Sequence, residues 1–251
     1  MPLLEIQGLT KRFLGVTAVD RVDLVLEPGE LVSLIGPNGS GKTTLFNCVT
    51  GYLPADDGRV HFRGREITGA PPHRVCRLGI GRTFQMVSVF PSLSVLDNML
   101  TFAQQHQEED LFSRLMRTPR LRRLEADAGR RARDLLELVG LAAQAAMPAG
   151  HLSYGQKKLL AFAAALMPSP PLLLLDEPAA AINPTMIRQM MDHVRTLHHG
   201  GTTIVLIEHN MEVVMDISQR LVVLDHGQKI AEGSPADIRR DPRVVEAYFG
   251  R

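Results

Sequence analysis

The chain has 251 residues, 45% of them hydrophobic, enough for one large domain or for a core carrying an inserted subdomain. Its 28 Lys+Arg nearly balance 27 Asp+Glu, and a net charge of +1 gives no reason to expect nucleic acid as a partner. No apolar run reaches the roughly 18 residues of a membrane span, and Met1-Pro2-Leu3-Leu4-Glu5 lacks the basic start and long apolar stretch of a secretory leader.

From the N-terminus, the apolar runs Leu3–Ile6, Val22–Leu26 and Val60–Phe62 predict strands, with Val22–Leu26 and Val60–Phe62 in a small antiparallel sheet. Between them, Leu31–Ile35 reads as a buried parallel strand. It runs directly into Gly36-Pro37-Asn38-Gly39-Ser40-Gly41-Lys42-Thr43-Thr44, which matches G-x-x-x-x-G-K-[ST]. Leu45, Phe46 and Val49 then give one apolar face to a short helix. This strand–loop–helix context turns a pattern match into a phosphate site. The glycines let successive backbone N–H groups close around phosphate oxygens, and the helix N-terminus adds partial positive charge. Lys42 suits the β- and γ-phosphates as a compact point charge, and Thr43 offers a hydroxyl to Mg²⁺. A nucleoside triphosphate is the expected ligand. Cys48 and Cys76 form no C-x-x-C pair and read as reduced structural thiols of a cytosolic protein.

The stretch from about 86 to 170 has few strand signals and many Leu, Ala, Arg and Glu, so it reads as helical. Its basic series, Arg114, Arg117, Arg120, Arg122, Arg123, Arg130, Arg131 and Arg133, is interspersed with Glu125, Asp127 and Asp134, as on a solvated helix face. Leu172–Leu175 then predicts a buried strand ending in Asp176-Glu177. Successive side chains on a strand point to opposite sides. Asp176 can thus face a Mg²⁺ shell while Glu177 faces the water that attacks the γ-phosphate. Ile187, Met190, Met191, Val194 and Leu197 predict a helix over Thr185–His199, with His198 and His199 at the end that tolerates a cation. Thr203–Ile207 and Leu221–Leu224 are further short strands. Continuous aliphatic runs separated by helices predict an α/β fold with a mostly parallel sheet covered on both faces.

At this point the order of motifs resembles that of ABC transporter ATPases. Leu152-Ser153-Tyr154-Gly155-Gln156 is similar to the family's L-S-G-G-Q signature, and Gln85 stands where the family has its Q-loop glutamine. Ala180-Ala181-Ile182-Asn183 matches the D-loop position, His209 the switch histidine, and Phe13 an aromatic that stacks on adenine. The resemblance covers nearly the whole chain. It implies one ABC ATPase domain over 1–251, with a RecA-like core at about 1–85 and 171–251 and a helical signature subdomain at about 86–170. It also implies ATP and Mg²⁺ as cofactors, with Thr43, Gln85 and Asp176 at the metal, Glu177 positioning water and His209 assisting. Ser153, Gly155 and Gln156 would complete the site of a second subunit in a head-to-tail dimer, homo- or heteromeric. Each element has a plain alternative when taken singly: Gln85 as a surface amide, His209 as a loop histidine, Phe13 as core.

The segments Gly79–Gln85, Asp176–Ala180, Asn183-Pro184 and the ending Ala247-Tyr248-Phe249-Gly250 are similar to importers of branched-chain and other hydrophobic amino acids. The polar stretch from Gln104 to Arg133 resembles the longer, LivG-type ATPase subunit of that group. Two permeases in the membrane, a paralogous ATPase and a periplasmic binding protein are the implied partners, at the cytoplasmic face of the inner membrane. Met86-Val87-Ser88-Val89-Phe90 stands where the family meets its permease, although core packing explains these apolar residues equally well. Two departures stand out. Ala181-Ile182 replaces a usual Gly-Leu, and Leu159, Ala161 and Ala164 replace Arg, Glu and Arg, so that a charge network of the helical subdomain is expected to be missing. A lipid or lipopolysaccharide extraction ATPase is the nearest rival reading, a urea or amide importer is another, and a soluble ABC ATPase comes last.

Overall fold

The computed structural model describes residues 1–83, 89–103 and 119–249. Strands β1 (Leu4–Phe13) and β2 (Val16–Leu26) form a hairpin. With β4 (Asp57–Phe62) and β5 (Arg65–Glu66) they make an antiparallel sheet of order β2-β1-β4-β5. From Val22 to Leu26 the residues alternate strictly between buried and exposed, because this sheet covers the core with one face only. The expected small sheet is therefore present, with longer strands than the apolar runs alone predict.

The second sheet has the order β10-β9-β3-β8-β7-β6. Its strands are β3 (Leu31–Ile35), β6 (Ile80–Arg82), β7 (Leu172–Asp176), β8 (Thr203–Ile207), β9 (Arg220–Asp225) and β10 (Gln228–Gly233). Five run parallel, and β10 is an antiparallel edge. β3, β7 and β8 are buried at every residue, as expected for strands covered on both faces. Leucine is a good helix former, yet propensity differences are well under about 1 kcal/mol per residue. Burying a leucine side chain contributes about 1.5–3 kcal/mol. The two-sided core therefore decides that Leu172–Leu175 is a strand.

The alternation along β7 also sets the site. Leu173 and Leu175 pack with Leu160, Phe162, Met190 and Val194 on one side of the sheet. Leu172 and Leu174 pack on the other, with Leu45, Phe46 and Val49 of helix α1 (Lys42–Val49). Asp176 continues the second set, towards α1.

The remaining described helices are α2 (Pro72–Leu78), α3 (Val95–Ala103), α4 (Pro119–Leu138), α5 (Tyr154–Ala165), α6 (Pro184–His199), α7 (Met211–Ile217), α8 (Pro235–Arg240) and α9 (Pro242–Phe249). Helix α5 is largely buried, which explains why its sequence is so apolar: Leu159 and Ala164 sit where a charge would be desolvated, while Ala161 is half-buried. A charged side chain still meets the end of α5. Arg131 of α4 donates to the carbonyl oxygens of Leu166 (2.8 Å) and Met167 (2.9 Å), closing the C-terminal end of α5. Arg120, Arg122, Arg123, Arg130 and Arg133 are exposed, as a solvated face requires, while Arg114 and Arg117 lie outside the described residues.

Candidate functional site

The phosphate loop sits at the C-terminal end of β3, where a parallel sheet opens towards a ligand. Its two critical glycines are fixed by neighbours. A Cβ on Gly36 (φ +147°) would lie 2.0 Å from the Leu224 carbonyl oxygen, and one on Gly41 (φ +101°) 2.2 Å from that of Ala18. Only glycine fits either position. The Gly227 N–H donates to the Ser40 carbonyl at 3.1 Å, so the turn between β9 and β10 braces the loop from below. Tyr248 of α9 supports it from another side: burial pushes the phenol pKa up, partly offset by the Gly36 backbone N–H that it accepts from.

Lys42 is buried, and its ammonium donates to the carbonyls of Gly36 (2.9 Å) and Pro37 (2.9 Å) and to Ser40 Oγ (3.2 Å). Burial lowers its pKa, while the nearby carboxylates of Glu177 and Asp176 pull it back up. Asn38, Gly39 and Thr43 are exposed, Pro37 and Thr44 half-buried. The loop thus presents its backbone, with Thr43 in the first turn of α1.

Asp176 is 3% exposed, and burial raises its pKa against the opposing pull of Arg82. Oδ2 accepts from Arg82 Nη2 at 3.0 Å. Oδ1 is buried with no hydrogen-bond partner. An ionisable oxygen in this position fits a hard cation. Among the described residues no three His, Cys, Asp or Glu side chains cluster as a metal cage.

Glu177 follows in the left-handed region (φ 50°), which turns its side chain out of the β7 register. Oε1 lies 2.5 Å from His209 Nε2, so the two expected partners in water activation meet. Two further side chains hold this corner. Lys158 of α5 is buried and donates to the carbonyls of Glu177 (3.0 Å), Pro178 (3.3 Å) and Ala180 (2.5 Å). Glu208 accepts from the N–H groups of Ala179 (2.7 Å) and His209 (3.0 Å), joining the two loops. A buried Lys three positions after a glycine and a buried Glu before a histidine carry no pattern that single-sequence reading detects.

Ser153, Gly155 and Gln156 lie at the N-terminal end of α5. Ser153 Oγ accepts from the Gln156 N–H (3.3 Å), and Gln156 Oε1 accepts from the Ser153 N–H (2.9 Å). This reciprocal cap gives both residues a role within one subunit, beyond the intermolecular one that the resemblance implies. Gly155 is close-packed too: a Cβ there would lie 2.4 Å from Met186 Sδ. Phe13 is 42% exposed at the end of β1, with the Lys11 ammonium 5.4 Å from its ring centre, so it is a surface aromatic and not core. Gln85 and residues 86–88 lie outside the described residues, and Phe90 is exposed.

Residues 19–180 match the model of the ABC transporter family. The chain belongs to the ABC transporter ATP-binding family. It is an ATP-binding ABC ATPase. Residues 228–251 match a second model, described as a branched-chain amino acid ATP-binding cassette transporter. The ABC cassette is 43% identical over 250 residues to the high-affinity branched-chain amino acid transport ATP-binding protein LivG of Escherichia coli K12, covering 99% of this chain and 98% of the relative. It is 42% identical to BraF of Pseudomonas aeruginosa, with the same coverage. Two solved ATP-binding cassettes of ABC transporters, one nucleotide-free and one in an ADP conformation, superpose over the full length of both chains with TM-scores of 0.86, at 34% and 35% identity. Among the described residues of this cassette, no helix is long and apolar enough to cross a membrane.

Proposed function

We propose that this cassette is the ATP-hydrolysing subunit of an importer for branched-chain or other hydrophobic amino acids. The full-length likeness to LivG and BraF supports the substrate class. The observation that carries the hydrolytic reading is the 2.5 Å contact between Glu177 Oε1 and His209 Nε2, beside a buried lysine in a phosphate loop. In this reading the domain comprises a RecA-like core at about 1–85 and 171–251 and a helical subdomain at about 86–170. Phe13 stacks on the adenine, and the 36–44 amides with Lys42 hold the phosphates. Thr43, Gln85 and Asp176 would hold Mg²⁺, which would supply positive charge to offset the negative charge of the phosphates. Glu177 accepts a hydrogen bond from the attacking water, and His209 fixes the carboxylate that does so.

Ser153, Gly155 and Gln156 serve the phosphate held by a second ATPase subunit. Ser153 Oγ already accepts from Gln156, but its own proton remains free to donate to a phosphate oxygen. The cassette then works at the cytoplasmic face of the inner membrane on two permeases, with a periplasmic binding protein delivering the amino acid. The exposed Phe90, just beyond the 84–88 segment, belongs to the surface offered to the permease.

Glu177→Gln removes the accepting charge while keeping the shape. It is expected to bind ATP normally and to lose about 10²–10⁴-fold in turnover. Turnover at the wild-type rate would remove Glu177 from the mechanism. The same variant, purified from membranes with ATP, should bring down two permeases and a second ATPase. Recovery without integral membrane proteins, from an intact closed dimer, would count against the importer.

A further inference from the structure

Arg82 is the residue of this region whose environment is least explained by nucleotide binding. It ends the short edge strand β6, and its side chain is 5% exposed. The guanidinium is engaged on two elements at once. Nη1 donates to Asn47 Oδ1 (2.8 Å) and Thr50 Oγ1 (2.9 Å) at the C-terminal end of α1, and Nη2 donates to Asp176 Oδ2 (3.0 Å) at the end of β7. Its Cζ lies over the rings of Phe46 (5.7 Å to the centroid) and Tyr52 (5.8 Å). Thr50 Oγ1 is itself fixed by donating to the Phe46 carbonyl at 2.6 Å.

A planar fork anchored on helix and rings leaves the carboxylate little rotational freedom. With Oδ2 engaged by Arg82, the oxygen of Asp176 left buried and without a hydrogen-bond partner is Oδ1. A group that orients a metal-binding carboxylate without touching the ion tunes affinity through geometry. We propose that Arg82 is a positioning residue for Asp176, holding Oδ2 so that Oδ1 is presented to the divalent cation of the nucleotide site. This rests on the reading of Asp176 as a metal ligand given above. Arg82 thereby joins α1, which begins with the phosphate loop, to the strand that carries the acidic pair. Cation binding and the position of β6 become one linked equilibrium.

The test separates the two layers. Mn²⁺ is titrated into the ADP complex of the full chain and followed by the free-ion electron paramagnetic resonance signal, with ADP affinity measured separately in EDTA. Asp176→Asn should abolish tight Mn²⁺ binding. Arg82→Gln should weaken it about tenfold while leaving the metal-free ADP affinity within about twofold, and Arg82→Lys should recover part of the loss. Wild-type Mn²⁺ affinity in Asp176→Asn would overturn the metal reading itself. Loss in Asp176→Asn with wild-type affinity in Arg82→Gln would overturn the positioning role alone. Should Arg82→Gln fail to fold, Asn47→Ala with Thr50→Val loosens the guanidinium and keeps its charge. That pair is expected to weaken Mn²⁺ several-fold, and unchanged affinity there would equally overturn the proposal.

Discussion

Two non-glycine residues of the catalytic corner take left-handed backbone conformations, Glu177 at φ 50° and Ala181 at φ 58°. Each costs about 1–2 kcal/mol, and such conformations persist only where the surroundings enforce them. Lys158 supplies that enforcement, because one ammonium draws three carbonyls of the 177–180 turn together. Burial lowers its pKa while Glu208 and Glu177 raise it, so the carbonyl cage and both acids favour the charged form. Lys158→Met keeps the aliphatic stem and removes the donor, leaving those carbonyls short of a partner. Stability is expected to fall by about 1–3 kcal/mol, read as the urea midpoint, and kcat to fall with KM little changed. A variant that loses stability yet keeps kcat would make Lys158 a brace of the fold with no bearing on the position of Glu177.

Helix α5 shows how one element can carry two duties that a sequence pattern reports as one. Ser153 caps the helix through its Oγ, and an N-cap hydroxyl contributes about 0.5–2 kcal/mol. Ser153→Ala therefore confounds lost stability with lost contact to a second nucleotide. Ser153→Asp separates them, since aspartate caps as well as serine but sets a negative charge against a phosphate. Its melting temperature should match the wild type while ATP-dependent dimerisation, followed by light scattering, is lost. Dimerisation as strong as wild type would remove Ser153 from the intersubunit contact. The main strands, α6 and the phosphate loop were legible because aliphatic runs, helical spacing and glycine placement report directly on burial and backbone geometry. Strands β6 and β10 were not. The first is three residues long with Gly81 at its centre, and the second is an edge whose Gln228, Lys229 and Glu232 face water or ion pairs. Lys158, Glu208 and Arg82 stayed hidden for another reason: each works through partners 19 to 94 positions away, which only the folded chain brings together.

At the scale of the whole molecule, α2, β6, the end of α1 and the ends of α3 and α5 enclose a groove of about 550 Å³. Thr50, Tyr52, Cys76, Arg82, Phe102 and Pro168 line it, so its wall includes the guanidinium that holds Asp176. The groove flanks the strand that precedes residues 86–90, which the importer reading assigns to permease contact. A partner seated there would press on Arg82 and be felt at the acidic pair, the reciprocal coupling that transport requires. Cys76 provides a probe. Burial raises the pKa of both thiols, that of Cys48 to about 11, so maleimide should react slowly with Cys76, faster as rising pH increases the thiolate, and hardly at all with buried Cys48. Mass spectrometry of the labelled chain should show one adduct, on Cys76, in the free subunit and none in the membrane assembly. The labelled subunit should still bind ADP in EDTA but fail to reassemble with its membrane partners, because the adduct occupies the groove. Reassembly at the unlabelled yield would place the permease contact elsewhere on the cassette.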